Sequence, residues 1–288
     1  MRTSDRNCRA VLLLVPGSGF AEQSPSAADD DSLLVPSGLW STEKFAEEAG
    51  LDDGSMVPYV AWALHNGMRP LVLRGNSESD IAAALESIKC LAAESLTNGV
   101  ASSSSSASSS SAPPSLLASS SSPRNTNVGE LMPITVALVA HSEGGAAVVR
   151  LIRSHPQYFN DTPSPSDGLN TSVVVRCVAL LDSVHTAKDL PPAGSAGAAF
   201  LSGAGDNKSK RCVNWVQSRA PLDSQKPKPW VKNGTSGGCN VRSAGTMDHL
   251  RVPAVAMPSV LRFIGGAMGT PMVATSAEPH MEPKPQTE

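Results

Sequence analysis

From Ile134 to Arg150 the chain reads ITVALVAHSEGGAAVVR. The first half is an apolar run rich in β-branched residues, which predicts a buried strand. The second half is made of small residues that can open a helix, and Ser142 stands at the junction. Bulk two places before or after this serine would collide with the strand or helix in so sharp a turn, and Ala140 and Gly144 fill those places. The stretch therefore predicts a strand-to-helix turn with a serine at its apex.

This turn has the form of the nucleophile elbow of α/β-hydrolases, in which Gly-x-Ser-x-Gly is usual. Ala140 replaces the first glycine, Gly144 supplies the second, and Gly145 lets the helix approach the sheet closely. The alternative is that the turn only joins a strand to a helix in another doubly wound fold.

The composition of the 288-residue chain fits one α/β domain with loops. Hydrophobic residues make up 40% and charged residues 17%, so a core can form beneath a charge-poor exterior. The net charge of −3 gives no global basis for nucleic-acid binding, and an RNA or protein partner would need a local patch. The five cysteines include no Cys-x-x-Cys pair, which predicts reduced thiols and no metal site. Cys177 lies in an apolar strand and is expected in the core.

The N-terminal apolar run predicts a core strand. Val11–Val15 is shorter than the apolar region of a signal peptide, and Pro-Gly-Ser-Gly follows it at once. No run in the chain approaches the roughly 18 apolar residues of a membrane span. We expect a soluble, intracellular protein with no membrane partner.

Strands and helices alternate along the chain, which predicts a mostly parallel sheet of about six strands covered on both faces. The predicted elements, besides the elbow, are strands at 9–15, 69–74, 171–181, 212–216 and 240–243, helices at 56–66, 80–96 and 259–268, and a long loop at 186–211. The helix at 56–66 is expected to bury the helically spaced Val57, Val60, Ala61 and Leu64, and its Met56, Tyr59 and Trp62 are read as packing residues rather than a cofactor site.

The domain is predicted to span residues 9–268, after an N-terminal extension at 1–8 and before a Pro/Glu-rich, disordered tail at 269–288. Residues 101–127 are dominated by serine and cannot bury enough apolar surface to offset their ordering entropy, so they are predicted to form a disordered insertion. An α/β-hydrolase usually begins two strands earlier. Either this fold is minimal, or an N-terminal part is absent.

Candidate triad residues follow the nucleophile in the order typical of this fold, which is Ser, then Asp or Glu, then His. Ser142 is the candidate nucleophile and His249 the candidate base. Asp223 is the preferred acid because it follows the penultimate strand, and Asp182, at the end of the strand after the elbow helix, is the alternative. The alternative is that these residues have no catalytic role: Asp182 caps the following turn, Asp223 forms an Asx-turn, and His249 is a surface residue.

The oxyanion hole is expected to use the N–H of Glu143 and an N–H of the loop after the first strand, from Gly17 or Ser18. The Glu143 carboxylate would oppose a developing negative charge unless it points to solvent. His141 and His185 flank the candidate site residues and are expected to shape the pocket.

Six short motifs, in order, resemble the Argonaute-binding protein two (Arb-two) domain, which is shared with the FAM-one-seven-two proteins. They are Val15–Phe20, Gly54–Tyr59, Ala140–Gly145, Leu181–His185, Cys212–Val216 with Pro221–Asp223, and Ser243–His249. Glu143 departs from the family, as do the serine-rich insertion and the lack of a segment before the first strand.

The resemblance implies an α/β-hydrolase-like fold in a protein that binds Argonaute, with small RNA as a further partner, and that uses no cofactor and no metal. The namesake in fission yeast belongs to an Argonaute–siRNA chaperone complex in heterochromatin formation, and animal relatives are linked to co-transcriptional splicing control. We therefore expect a protein of the nucleus or cytoplasm that is not secreted. The alternative function is that of an active serine hydrolase on a small ester substrate.

Overall fold

The computed structural model describes residues 9–17, 38–41, 43–101, 133–160, 173–203, 211–225 and 238–269. The strands are β1 (Ala10–Val15), β2 (Arg69–Val72), β3 (Ile134–His141), β4 (Val173–Leu181), β5 (Cys212–Val216) and β6 (Asn240–Ser243). They form one sheet in the order β2-β1-β3-β4-β5-β6, and every neighbouring pair is parallel. Parallel strands need crossovers, which the helices supply.

The helices are α1 (Glu43–Gly54), α2 (Val57–His65), α3 (Glu78–Ala101), α4 (Ser142–Ser154), α5 (Ala196–Ser202) and α6 (Val252–Met268), with a 3₁₀ turn at Pro156–Phe159. None of these helices has the length and apolar character that crossing a membrane would need.

Alternate side chains of the strands point to opposite faces of the sheet, so the core has two layers. In β1, Leu13 packs toward one cluster with residues of α3, α4 and α5, whereas Leu12 and Leu14 pack toward a second cluster with α2 and α6. Cys177 is fully buried in the second cluster, as expected. The mostly parallel, two-faced α/β architecture predicted from the alternation is confirmed, and all neighbouring strands of the sheet are parallel.

Helix boundaries were less accessible to sequence reasoning than strands. The loop predicted at 186–211 contains α5, which is capped by Ser195 Oγ accepting from the N–H of Ala198. Helix α6 begins at Val252, seven residues before the predicted start, because Pro253 occupies the first turn, where a missing N–H costs nothing. The helix also continues through Pro258.

The buried face of α2 differs in part from the prediction, although Met56 and Tyr59 are buried as expected. Val57 and Leu64, expected in the core, are 56% and 62% exposed, whereas Tyr59 and Ala63 are buried. Tyr59 packs edge-on against Trp40 with ring centroids 5.1 Å apart, and its hydroxyl donates to a backbone carbonyl of α6 at 2.8 Å. A large ring with a satisfied hydroxyl gains more by burial than the two aliphatic side chains on the opposite face.

Other predictions lie outside the described residues. These are the N-terminal extension, most of the serine-rich segment predicted at 101–127, and the tail after residue 269. Helix α3 continues to Ala101, beyond the end expected at residue 96.

Candidate active site

The candidate site lies at the carboxyl edge of the sheet, where the ends of parallel strands meet. Gly17 follows β1, Ser142 follows β3 directly, and Asp182 follows β4 directly. His249 lies six residues beyond the end of β6. Residues far apart in sequence therefore reach one edge.

Ser142 occupies a sharp turn between β3 and α4, as predicted. Its φ is 50°, in the left-handed region, and the residue is only 9% exposed. A Cβ on Gly144 would lie 2.2 Å from the carbonyl oxygen of Pro16, and one on Gly145 would lie 2.6 Å from Ser183 Cβ. The small residues after the serine are therefore required by close approach of the helix to the loops after β1 and β4.

Unusual backbone conformation marks three of the candidate residues. Among the described residues other than glycine, only Ser142, Asp182 and Asp223 have positive φ, with values of 50°, 48° and 66°. Such conformations cost energy and concentrate at functional sites, although Asp adopts them more readily than Ser. The strain at Ser142 is the most informative of the three.

His249 pairs with Asp182. The Nδ1–H of His249 donates to Asp182 Oδ2 at 2.6 Å, and the other carboxylate oxygen accepts from the N–H of Gln217 at 3.2 Å. The backbone of Asp182 is itself fixed, because its N–H donates to the carbonyl of Trp215 at 2.7 Å. This pairing leaves Nε2 of His249 as the nitrogen that can take a proton. Within the described residues, no hydrogen bond joins it to Ser142 Oγ.

The structure does not place Asp223 beside His249, so the preference for Asp223 over Asp182 is not met. Asp223 accepts from Trp215 Nε1 at 2.9 Å, from Ser259 Oγ at 2.5 Å and from Arg242 at 3.3 Å. Partial burial alone would raise the pKa of Asp223, but the bonds from Ser259 and Trp215 and the charge of Arg242 outweigh it and lower the pKa. Through its hydrogen bonds with Trp215 and Ser259, Asp223 links strand β5 to helix α6.

His141, the residue before Ser142, is 1% exposed and contacts His249 directly. The two imidazole centroids lie 4.6 Å apart, and Nε2 of His141 lies 3.3 Å from the carbonyl oxygen of His249. Its Nδ1 lies 3.3 Å from the carbonyl oxygen of Trp40. Burial, together with the neighbouring His249, lowers the pKa of His141 to about 4, so the ring is neutral at physiological pH.

The oxyanion side of the site differs from the prediction for Gly17. The N–H of Gly17 donates to the Trp40 carbonyl at 3.0 Å, and this bond occupies the donor expected to face an oxyanion. The N–H of Glu143 lies in the first turn of α4, where it has no acceptor within the helix, and the Glu143 side chain is exposed. Ser18 lies outside the described residues.

His185 lies near the nucleophile turn. Its Nδ1 is 2.9 Å from Ser183 Oγ, and the N–H of Val184 donates to the carbonyl of Ser142 at 3.5 Å. Burial lowers the pKa of His185, although the charge of Asp189 opposes the shift. The His185 side chain therefore contacts its own loop, and the backbone of Val184 joins that loop to the turn.

Sequence reasoning missed two supporting residues. Asn214 is buried in the middle of β5, and its Oδ1 accepts from the N–H of Ser183 at 3.4 Å. The signal was present, because an amide inside an apolar strand needs a partner. Trp40 contributes its backbone carbonyl, which carries no sequence signal, and its ring lies edge-on to His141 with ring centroids 6.5 Å apart.

Among the described residues, no group of three or more His, Cys, Asp or Glu side chains is arranged to hold a metal ion. Comparison with protein-family models, with curated proteins and with solved structures finds no match to this chain.

Proposed function

We propose that this chain is a serine hydrolase of α/β-hydrolase type that cleaves an ester or related acyl substrate. The observation that carries the proposal is the 2.6 Å bond from His249 to Asp182, formed at the same edge of the sheet as a serine in a strained turn. The chain order Ser142, Asp182, His249 is the order that α/β-hydrolases use.

The chemistry assigns one role to each side chain. Ser142 Oγ attacks the acyl carbon while Nε2 of His249 takes its proton, and Asp182 holds the imidazole in the tautomer that leaves Nε2 free. His249 then gives the proton to the leaving alcohol as its bond to carbon breaks. Water, deprotonated in the same way, hydrolyses the acyl-enzyme and returns Ser142 to its hydroxyl form.

The developing oxyanion needs donors that are already in place. The N–H of Glu143 supplies one at the start of α4, where the helix dipole also favours negative charge. The exposed Glu143 carboxylate is screened by water, which reduces its repulsion of the oxyanion.

Labelling with a fluorophosphonate probe tests the proposal, because the probe reacts with activated serines. We expect the wild-type protein to be labelled and Ser142→Ala not to be labelled. In Asp182→Asn the labelling rate is expected to fall roughly 10³-fold to 10⁴-fold. Asp223→Asn is the matched control, since this aspartate contacts Trp215 and Ser259 rather than the base. Its labelling rate is expected to stay close to the wild-type rate.

The outcomes separate clearly. Absence of labelling in a folded wild-type protein would refute the hydrolase proposal. Labelling that falls in Asp223→Asn and persists in Asp182→Asn would assign the acid to Asp223 instead.

A second candidate function is that of an Argonaute-associated protein of the Arb-two type, acting with small RNA in heterochromatin formation or co-transcriptional regulation in the nucleus or cytoplasm. The six sequence motifs support it. So does the bond from Gly17 to the Trp40 carbonyl, because it withholds an oxyanion donor that an active hydrolase would use. The test is capture of an Argonaute protein by the purified chain, compared between wild type and Ser142→Ala. Equal capture is expected, and no capture by either would refute this candidate.

A further inference from the structure

His141 links two loops of the site through backbone carbonyls. One nitrogen faces the carbonyl of Trp40, beside the loop that follows β1, and the other faces the carbonyl of His249. Its ring also lies over the His249 imidazole, tilted by 31°.

We propose that His141 is a positioning residue that holds His249 in place for proton transfer, by donating its Nε2–H to the carbonyl oxygen of His249. The inference rests on the proposed hydrolase function, and it adds a fourth side chain to the three that perform the chemistry.

The tautomer follows from counting donors. A neutral imidazole carries a single N–H, and both partners of His141 are carbonyl oxygens that only accept. The Trp40 carbonyl already receives the Gly17 N–H at 3.0 Å, whereas the His249 carbonyl receives only a longer bond, 3.3 Å, from the N–H of Val252. The carbonyl of His249 is the less satisfied acceptor, so it takes the His141 proton.

Positioning matters here because His249 lies in a loop. Its side chain is 30% exposed, and Asp182 fixes it through Nδ1 alone, which leaves the ring free to swing about that bond. The His141 ring and its Nε2–H restrain both the imidazole plane and the backbone of His249. A displacement of about 1 Å at a reacting group can cost on the order of 100-fold in rate.

Two amide substitutions separate the two contacts of His141. A glutamine amide nitrogen reaches the place of Nε2, so His141→Gln keeps the donor to His249 and loses the contact with Trp40. An asparagine amide nitrogen reaches the place of Nδ1, so His141→Asn does the reverse. Each variant loses one contact, so a purely structural role would affect both alike.

The readouts are the rate constant of fluorophosphonate labelling and the proton NMR signal of the His249 Nδ1–H that is bonded to Asp182. We expect the glutamine variant to stay near wild type, and the asparagine variant to label at least about tenfold more slowly with a shifted or broadened N–H signal. Thermal unfolding is measured for each variant, and labelling is compared well below the lower melting temperature.

Equal labelling rates and equal N–H signals in the two variants, or a faster asparagine variant, would overturn the inference. A wild-type protein that does not label refutes the hydrolase proposal separately, and the N–H signal then decides the positioning role alone. If either amide variant fails to fold, His141→Phe is used, because it keeps the ring and removes both nitrogens. It is expected to behave like the asparagine variant, and a wild-type N–H signal in it would overturn the inference.

Discussion

Acid is expected to destabilise this protein through His141. The imidazole is buried and faces His249 and Asp182, and burial together with His249 lowers its pKa from 6.5 to about 4. Between these pH values His141 is therefore protonated in the unfolded chain and neutral in the folded protein. The stability that His141 contributes is complete above pH 6.5, falls as the pH drops toward 4, and changes no further below that.

The magnitude follows from the two pKa values. At about 1.4 kcal/mol per pH unit, a pKa lowered from 6.5 to about 4 makes the unfolding free energy about 3 kcal/mol smaller at the acid end. This is a large share of the 5–15 kcal/mol or so that stabilises a typical domain.

The assay is urea unfolding of wild type and His141→Gln at several pH values from 7 to 4. Glutamine is polar but does not titrate. The difference in unfolding free energy between the two proteins therefore reports the protonation of His141, because all other titratable groups are present in both. We expect wild type to lose about 3 kcal/mol more than the variant over this range. Parallel pH profiles would refute the reasoning, since they would mean that His141 can be protonated in the folded protein without penalty.

Three further outcomes are expected. Gly144→Ala places a methyl group against a backbone carbonyl, so we expect the unfolding free energy measured with urea to fall by about 3 kcal/mol or more. Gly266→Ala is the control, because a methyl group there meets open space, and its unfolding free energy should rise by about 0.4–1 kcal/mol. Asp223→Asn should cost about 2 kcal/mol at pH 7. Because the pKa of Asp223 is lowered on folding, that difference should begin to shrink as the pH falls below about 4 and vanish only once the carboxyl of the folded protein is protonated; a constant difference would contradict it. Native maleimide labelling should modify exposed Cys90 and spare Cys177, where burial raises the thiol pKa to about 12, until the protein unfolds.

The strands and the nucleophile turn could be predicted because their signals are local. The largely apolar run Cys212–Val216 predicts β5 to the residue, and the small residues after Ser142 reflect a steric requirement of the turn. The same periodicity argument failed for α2. Helical spacing identifies two opposite faces, and the choice between them depended on Tyr59 finding a hydroxyl partner on α6.

The acid of the triad was harder to predict because it depends on tertiary geometry. Asp182 and Asp223 both follow strands, and both have positive φ. Which of them meets His249 depends on the path of the loop after β6, which no local pattern encodes. The Trp40 carbonyl could not be found from sequence for a similar reason, because every residue has a carbonyl.

The pairing of Asp182 with His249 joins residues 67 apart in the chain, and the contact of His141 with His249 joins residues 108 apart. Forming contacts between residues so far apart in sequence requires a large loop to close first, at a cost in chain entropy. Such contacts therefore slow the folding of a domain. During synthesis, the serine leaves the ribosome more than a hundred residues before its base. The appearance of probe-reactive serine in a refolding or translation reaction would therefore time the closure of the last strand against the sheet, rather than the formation of the turn that carries the serine.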